Sequence, residues 1–348
     1  MSCYCTYFDR HYLAPGLALL ESVWRCEPTA EWWLLCLDDD VAETAARLAD
    51  PRLHLLTLAE IEAADPELAA AKANRSLVEY YFTLTPCLPR HVLARNPGLE
   101  RLTYLDADML LFRPLAPILA QDGASVVITA HRFPEECAGL VVCGKYNVGL
   151  LSFRNDAAAR TCLDWWRERC VEWCYDRHEA GRYADQKYLD TWPERFPGVV
   201  VLPHVGVNCA PWNWRSADWR VANGEARAGE TPLVLFHFAR FRRWAGPLWD
   251  SGQVDFGVMP RPLRRAIYGA YVAALRAAEN RLRKLGVPPA GASPRLRPAR
   301  YTPGHWAWML WFGGLWCEWG WWALGGGPWG ARSGAVLERR RARKARTT

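Results

Sequence analysis

No C-x-x-C pair occurs among the twelve cysteines, and there are only five lysines against 38 arginines. The missing pair removes zinc ribbons and thioredoxin-like redox motifs. Cys170 and Cys174, four apart in a predicted helix, then read as small buried apolar residues or, failing that, as a ligand pair. Scarce lysine beside plentiful Ala, Gly, Pro and Trp points to a GC-rich bacterial genome and to no particular activity. Met1 to Phe8 lacks the charged start and long apolar core of an export signal, which predicts a cytoplasmic chain with reduced thiols. The body also lacks an excess of one charge. The net charge of +6 is matched by Arg332 to Thr348 alone, where seven basic residues face one Glu, so nothing in the rest resembles a nucleic-acid surface. What is present, 348 residues of which 51% are hydrophobic, suffices for one large α/β domain with additions or for two modest ones.

The chain is organised around Arg101 to Phe112, RLTYLDADMLLF. Leu102, Tyr104 and Leu105 read as a short buried strand that stops at two carboxylates, Asp106 and Asp108. In an open α/β sheet, ligands gather outside the carboxyl ends of the strands. A bend after the strand can turn both acids toward one hard cation that keeps substrate phosphates among its other ligands. The same D-x-D also fits an Asx-turn or a helix cap leading into Pro114 and LAPILA.

In chain order, Cys3 to Phe8 predicts a first strand, followed by Asp9, Tyr12 and a helix starting near Pro15. Trp32 to Leu37 predicts a second strand, Val41 to Leu48 a helix, and Leu53 to Leu58 a third strand. Such β-α-β alternation with short connections indicates a mostly parallel, twisted sheet with helices on both faces. Ser76 to Leu93, interrupted by Pro86 and Pro89, predicts a kinked helix or two short ones. Ala124 to Ala130 and Tyr146 to Phe153 predict further strands. Asn155 or Asp156 caps a helix whose Ala159, Cys162, Trp166, Cys170 and Trp173 repeat as a core stripe. Leu233 to Phe236 predicts a strand ending at His237.

Four ordered pieces, TYFDRHYLAPGLALLESV, YLDADMLLFRPL, YNVGLLSFRND and ADQKYL with the later FHFARFRRW, make residues 3 to 245 resemble retaining glycosyltransferases of the GT-A fold. The resemblance is to the glycogenin and lipopolysaccharide galactosyltransferase group and to bacterial nucleotide-diphospho-sugar transferases. It implies that Asp106, Asp108 and His237 hold Mn2+ (or Mg2+), a donor set suited to manganese. It implies a nucleotide-sugar donor, with Thr6, Phe8, Asp9 and Tyr12 at the base and ribose and Asn147 at the sugar. Asp185 and Gln186 would face the reactive carbon; for Asp185 an N-cap of a helix from Gln186 to Trp192 stays open. Arg240 stands at the family's Gly position and Arg243 at its diphosphate Lys position, where a guanidinium can hold phosphate. The family's helix Arg is missing near Phe82; Arg75, one or two turns earlier, is either its substitute or an exposed Arg at a helix start. Trp212 and Trp214, in an irregular aromatic loop, are candidates for a carbohydrate or glycolipid acceptor or for packing beneath the sheet. A sugar-phosphate nucleotidyltransferase is disfavoured, because no Gly-rich, Lys-bearing loop follows the first strand. A non-catalytic carbohydrate- or membrane-binding relative is the other alternative.

Three segments are expected: a GT-A domain over residues 1–258, an amphipathic helix (Arg261 to Leu285) with its linker over 259–300, and a Trp/Gly-rich segment with a basic tail over 301–348. The last is too broken by Gly for a membrane-spanning helix; its Trp and Arg suit an anionic membrane surface on the cytoplasmic face, and a disordered or dispensable tail is the equal alternative.

Overall fold

The computed structural model describes residues 2–245, 248–288 and 315–317. The strands are β1 (Cys3–Phe8), β2 (Glu31–Cys36), β3 (Leu53–Thr57), β4 (Arg101–Leu105), β5 (Met109–Leu111), β6 (Val126–Ala130), β7 (Tyr146–Arg154) and β8 (Val199–Val201), followed by β9 (Trp219–Ala222), β10 (Glu225–Ala228), β11 (Thr231–Pro232), β12 (Leu235–His237), β13 (Arg242–Ala245), β14 (Leu248–Asp250) and β15 (Leu315–Cys317). The helices are α1 (Leu13–Cys26), α2 (Asp39–Leu48), α3 (Leu58–Ala64), α4 (Pro66–Ala71), α5 (Leu77–Arg95), α6 (Ala116–Leu119), α7 (Ala157–Glu172), α8 (Trp192–Arg195) and α9 (Arg261–Lys284).

Seven strands form the central sheet in the order β3-β2-β1-β4-β7-β6-β8. Only β7 runs against its neighbours, β4 and β6; the other pairings are parallel. The mostly parallel sheet with helices on both faces, expected from the sequence, is the architecture found. Side chains alternate across it, as a period of two requires. Tyr4, Trp32 and Leu34 enter a core with α1, α2 and α9, whereas Cys5, Trp33 and Leu35 enter a second with α3, α4, α5 and α7.

Local chemistry sets the helix starts. Asp38 caps α2, Asp156 rather than Asn155 caps α7, and Thr57 and Ser76 open α3 and α5 with reciprocal capping boxes through Glu60 and Glu79. α5 is one helix despite Pro86 and Pro89. Both prolines are buried with Leu84, Leu88 and Val92, so core packing outweighs the lost backbone bonds. α9 matches the amphipathic prediction to within a residue and lies along α1, where its Arg281 pairs with Glu21 at 2.8 Å. Among the described residues no helix is long and apolar enough to cross a membrane. Apart from β15, which pairs with β14, the Trp-rich and basic segments proposed to meet a membrane lie outside the described residues.

Candidate metal centre and surrounding cleft

β4 ends at Leu105, and the chain turns through Asp106 and Asp108 into β5. The Asp106 amide donates to the Gly149 carbonyl of β7 at 3.0 Å, which fixes the start of the turn on the sheet. β5 then pairs antiparallel with β12, with His237 opposite Met109, and the Phe238 amide donates to the Asp108 carbonyl at 2.8 Å. His237 therefore reaches the acids on a separate two-stranded ribbon, not from a strand end of the main sheet as its sequence position suggested. The ribbon was missed because Met109 to Leu111 is too short to be told from a continuation of the apolar run before it.

The three side chains converge. His237 Nε2 is 3.1 Å from Asp108 Oδ1 and 3.7 Å from Asp106 Oδ2, and one ligand atom from each residue lies within 4.8 Å of the others. Two carboxylates and an imidazole suit a borderline-to-hard divalent ion such as manganese. The acids are 31% and 20% exposed, so the cleft stays open to a ligand, while His237 is sealed at 8%. Burial opposes the imidazolium, yet Asp108 and then Asp106 outweigh it and raise the His237 pKa. Desolvation in the cleft likewise raises the Asp106 carboxyl, with Asp108 adding to it and His237 and the Tyr104 hydroxyl opposing.

Tyr104 was read only as strand filler, yet its hydroxyl donates to Asp106 Oδ1 at 2.7 Å. The signal was in the sequence: residues i and i+2 of an extended segment share a face. Tyr7 lies against Tyr104 and donates to the Tyr81 carbonyl, with its oxygen also 2.9 Å from Thr85 Oγ1. Asp185 belongs to this buried polar group. Burial pushes its carboxyl up to about 7, the Thr85 hydroxyl opposing and the Asp106 charge adding. The predicted helix after it is a 3-10 turn, Lys187–Thr191, leading into α8, and no side chain caps it.

Asn147 sits at the centre of a saturated network. Its Nδ2 faces Gln186 Oε1 at 3.1 Å and His131 Nε2 at 3.2 Å, and its Oδ1 accepts from the Gly149 amide at 3.0 Å and Asn208 Nδ2 at 2.9 Å. All four hydrogen-bonding positions of the amide are thereby occupied. His131, which the sequence reading passed over, is held neutral by burial and then by His237, its pKa lowered to about 3. Trp212 stands edge-on to both rings, 5.5 Å from His131 and 5.2 Å from His237, and its buried Nε1 has no partner among the described residues. Trp214 is half-buried against the core.

Other predicted residues lie around this centre or apart from it. Thr6 is buried on β1 with its hydroxyl unpartnered among the described residues, and Asp9 accepts from the His11 amide at 3.0 Å. Phe8 is committed to packing: a Cβ on Gly16 of α1 would lie 2.2 Å from its ring. Tyr12, the other aromatic residue expected at the base, is only partly buried at the turn. Arg75 is engaged at the start of α5, where it donates to the Asn74 side-chain oxygen at 2.6 Å. It also donates to the Val171 carbonyl at 3.1 Å and lies 4.0 Å over the Tyr175 ring. Arg243 pairs with Glu279 of α9 at 2.9 Å and covers Trp249 at 4.3 Å. Arg240 keeps a glycine-like backbone, φ +67°, and a Cβ on Gly252 would come within 2.7 Å of its own Cβ.

Fold and site together define an α/β protein in which two carboxylates and an imidazole, a candidate cation-ligand set, converge at the mouth of its sheet. The chain is 33% identical over 251 residues to the uncharacterized protein YfnF of Bacillus subtilis (strain 168), covering 69% of this chain and 82% of that one. It is 33% identical over 242 residues to YfnD of the same organism, covering 68% and 77%. It belongs to the family of these two proteins. No protein-family model matches it. Among solved structures it is similar to the galactosyltransferase LgtC in complex with donor and acceptor sugar analogs, with a TM-score of 0.49 and 16% identity over 81% of this chain and 99% of that one. It is also similar to the glycosyltransferase GlyE of Streptococcus pneumoniae TIGR4, with a TM-score of 0.46 and 13% identity over 83% and 65%.

Proposed function

We propose that the protein is a metal-dependent glycosyltransferase that moves a sugar from a nucleotide-diphosphate donor, a UDP-sugar, to a glycan, lipid or other acceptor with retention. The observation that carries this reading is the convergence of Asp106, Asp108 and His237 at the carboxyl end of the central strands. These residues would hold Mn2+ or Mg2+, and the bound ion would offset the charge of the two phosphates as the nucleoside diphosphate leaves. Thr6, Asp9 and Tyr12 lie on β1 and its turn, one strand away from the acids, where a nucleoside would lie. Asp185 and Gln186 have the role of orienting the sugar or acceptor. Asn147 fixes Gln186 and Gly149 through its own amide, a positioning role that leaves no hydrogen-bonding position spare for a sugar hydroxyl.

The test is donor consumption by the purified protein across a panel of nucleotide sugars with manganese. Asp108→Asn, nearly isosteric, is expected to abolish manganese-dependent nucleotide binding measured by calorimetry while leaving the thermal midpoint within a few degrees. Unchanged manganese affinity in that variant would remove the reading. The engagement of Arg243 by Glu279 favours a second reading, a carbohydrate-binding relative without turnover. Persistent manganese-dependent nucleotide binding with no donor consumed across the panel would select it.

A further inference from the structure

Between β6 and β7 the chain forms a 3-10 segment, Glu135–Cys143, nine residues long where such helices rarely exceed one turn. It is tied at both ends to groups of the cleft. At its start Glu136 pairs with Arg215 at 2.6 Å, beside the Trp212 to Trp214 loop. At its end the Val141 carbonyl accepts from Lys187 Nζ and the Cys143 carbonyl from Gln186 Nε2, both at 3.1 Å. The segment thus bridges the aromatic loop and the Asp185 to Lys187 stretch. After the two exposed glutamates at its start, its exposed surface is apolar: Val141 and Val142 are 44% and 50% exposed, Ala138 is exposed, and a Cβ on Gly139 would meet nothing within 4 Å. Only Leu55 and Leu77 are comparably exposed large apolar residues among those described. Single exposed apolar residues need no explanation, but an adjacent pair bonded to the candidate catalytic stretch does.

We propose that Ala138 to Val142 seats the apolar part of the acceptor, so that the acceptor is an amphiphile: a sugar or hydroxyl group joined to an alkyl, aryl or lipid chain. This rests on the glycosyltransferase reading above. The reason is continuity. An acceptor hydroxyl placed beside Asp185 and Gln186 has its remaining body within one or two residues of the Val141 and Cys143 carbonyls, and the surface that continues from there is the valine pair. A wholly polar glycan would gain nothing from that surface.

The test compares methyl and octyl glycosides of glucose and galactose, the octyl compounds kept below micelle formation, by saturation-transfer NMR and fluorescence titration of the full chain with manganese and UDP. The octyl compound is expected to bind at least about tenfold more tightly than the methyl compound of the same sugar. The Val141→Asp/Val142→Asp double variant should lose that difference, and Leu77→Asp, at an equally exposed site elsewhere, should keep it. Equal affinity for the two chain lengths, or a difference that survives the double variant, overturns the proposal. So does a double variant that abolishes concentration-dependent dimerisation, which would make the strip a contact between copies, or strip-dependent sedimentation with phosphatidylglycerol vesicles without binding of monomeric octyl glycoside, which would make it a membrane surface. Manganese-dependent UDP binding is recorded in the same samples. Its loss in the parent counts against the glycosyltransferase reading, whereas the chain-length comparison decides the apolar seat.

Discussion

Gly149 has two tasks that no other residue can combine. Its carbonyl anchors the Asp106 amide, and its bare α-carbon lets three side chains close over it: a Cβ would stand 2.6 Å from Met109 Cε, 2.7 Å from Asn147 Oδ1 and 2.9 Å from His237 Nδ1. Gly149→Ala is therefore expected to displace the imidazole and weaken manganese binding at least about tenfold by calorimetry, equivalent to ~1.4 kcal/mol. Adding Met109→Ala should recover folding stability without recovering the metal, because the histidine contact remains. Asp185 offers a separate prediction. A carboxyl raised from 3.8 to about 7 binds more protons folded than unfolded between those values, so metal-free protein loses stability as pH rises through that window. Relative to Asp185→Asn, the parent is expected to fall by at most about 4 kcal/mol between pH 4 and pH 7.5 in denaturant melts. Parallel curves for the two proteins would show that Asp185 is not the buried acid described.

At the scale of elements, the sequence showed best where periodicity and caps coincide. The first three strands follow from short apolar runs that end at Asp or Thr, α2 and α7 from helical apolar patterns opened by Asp38 and Asp156, and α9 from its amphipathic pattern alone. The β5–β12 ribbon did not show, because two three-residue strands more than a hundred positions apart carry no periodicity of their own. Of the site, the candidate metal trio stood out because its residue types are chemically specific and Tyr104 was legible from its i, i+2 spacing to Asp106, whereas Gly149 and His131 act through contacts that only the fold creates. Arg243 lies between these cases. It sits on β13, with Glu279 of α9 as its partner. If its task is phosphate, Glu279→Gln should remove the competing carboxylate from the guanidinium and tighten UDP binding by about two- to fivefold, roughly the worth of a partly exposed ion pair. Arg243→Ala should weaken UDP binding. No change in either variant would make the pair a strut between hairpin and helix.

At the scale of the molecule, the order in which the parts are made has a consequence for the nascent chain. β1 finds β2 almost at once, but its other neighbour, β4, begins at Arg101, so one edge of the innermost strand waits unpaired while α2 to α5 are synthesised. Such long-range parallel pairing is slow and exposes apolar edges meanwhile. The acids then emerge with β4, whereas His237 arrives only after β6, β7, α7 and the β9–β11 ribbon have been made. A chain on the ribosome can thus complete its whole seven-stranded sheet while holding the two carboxylates but not yet His237. The candidate ligand trio is therefore assembled late in synthesis, after the central sheet is complete and before α9 arrives to fill the core beside α1.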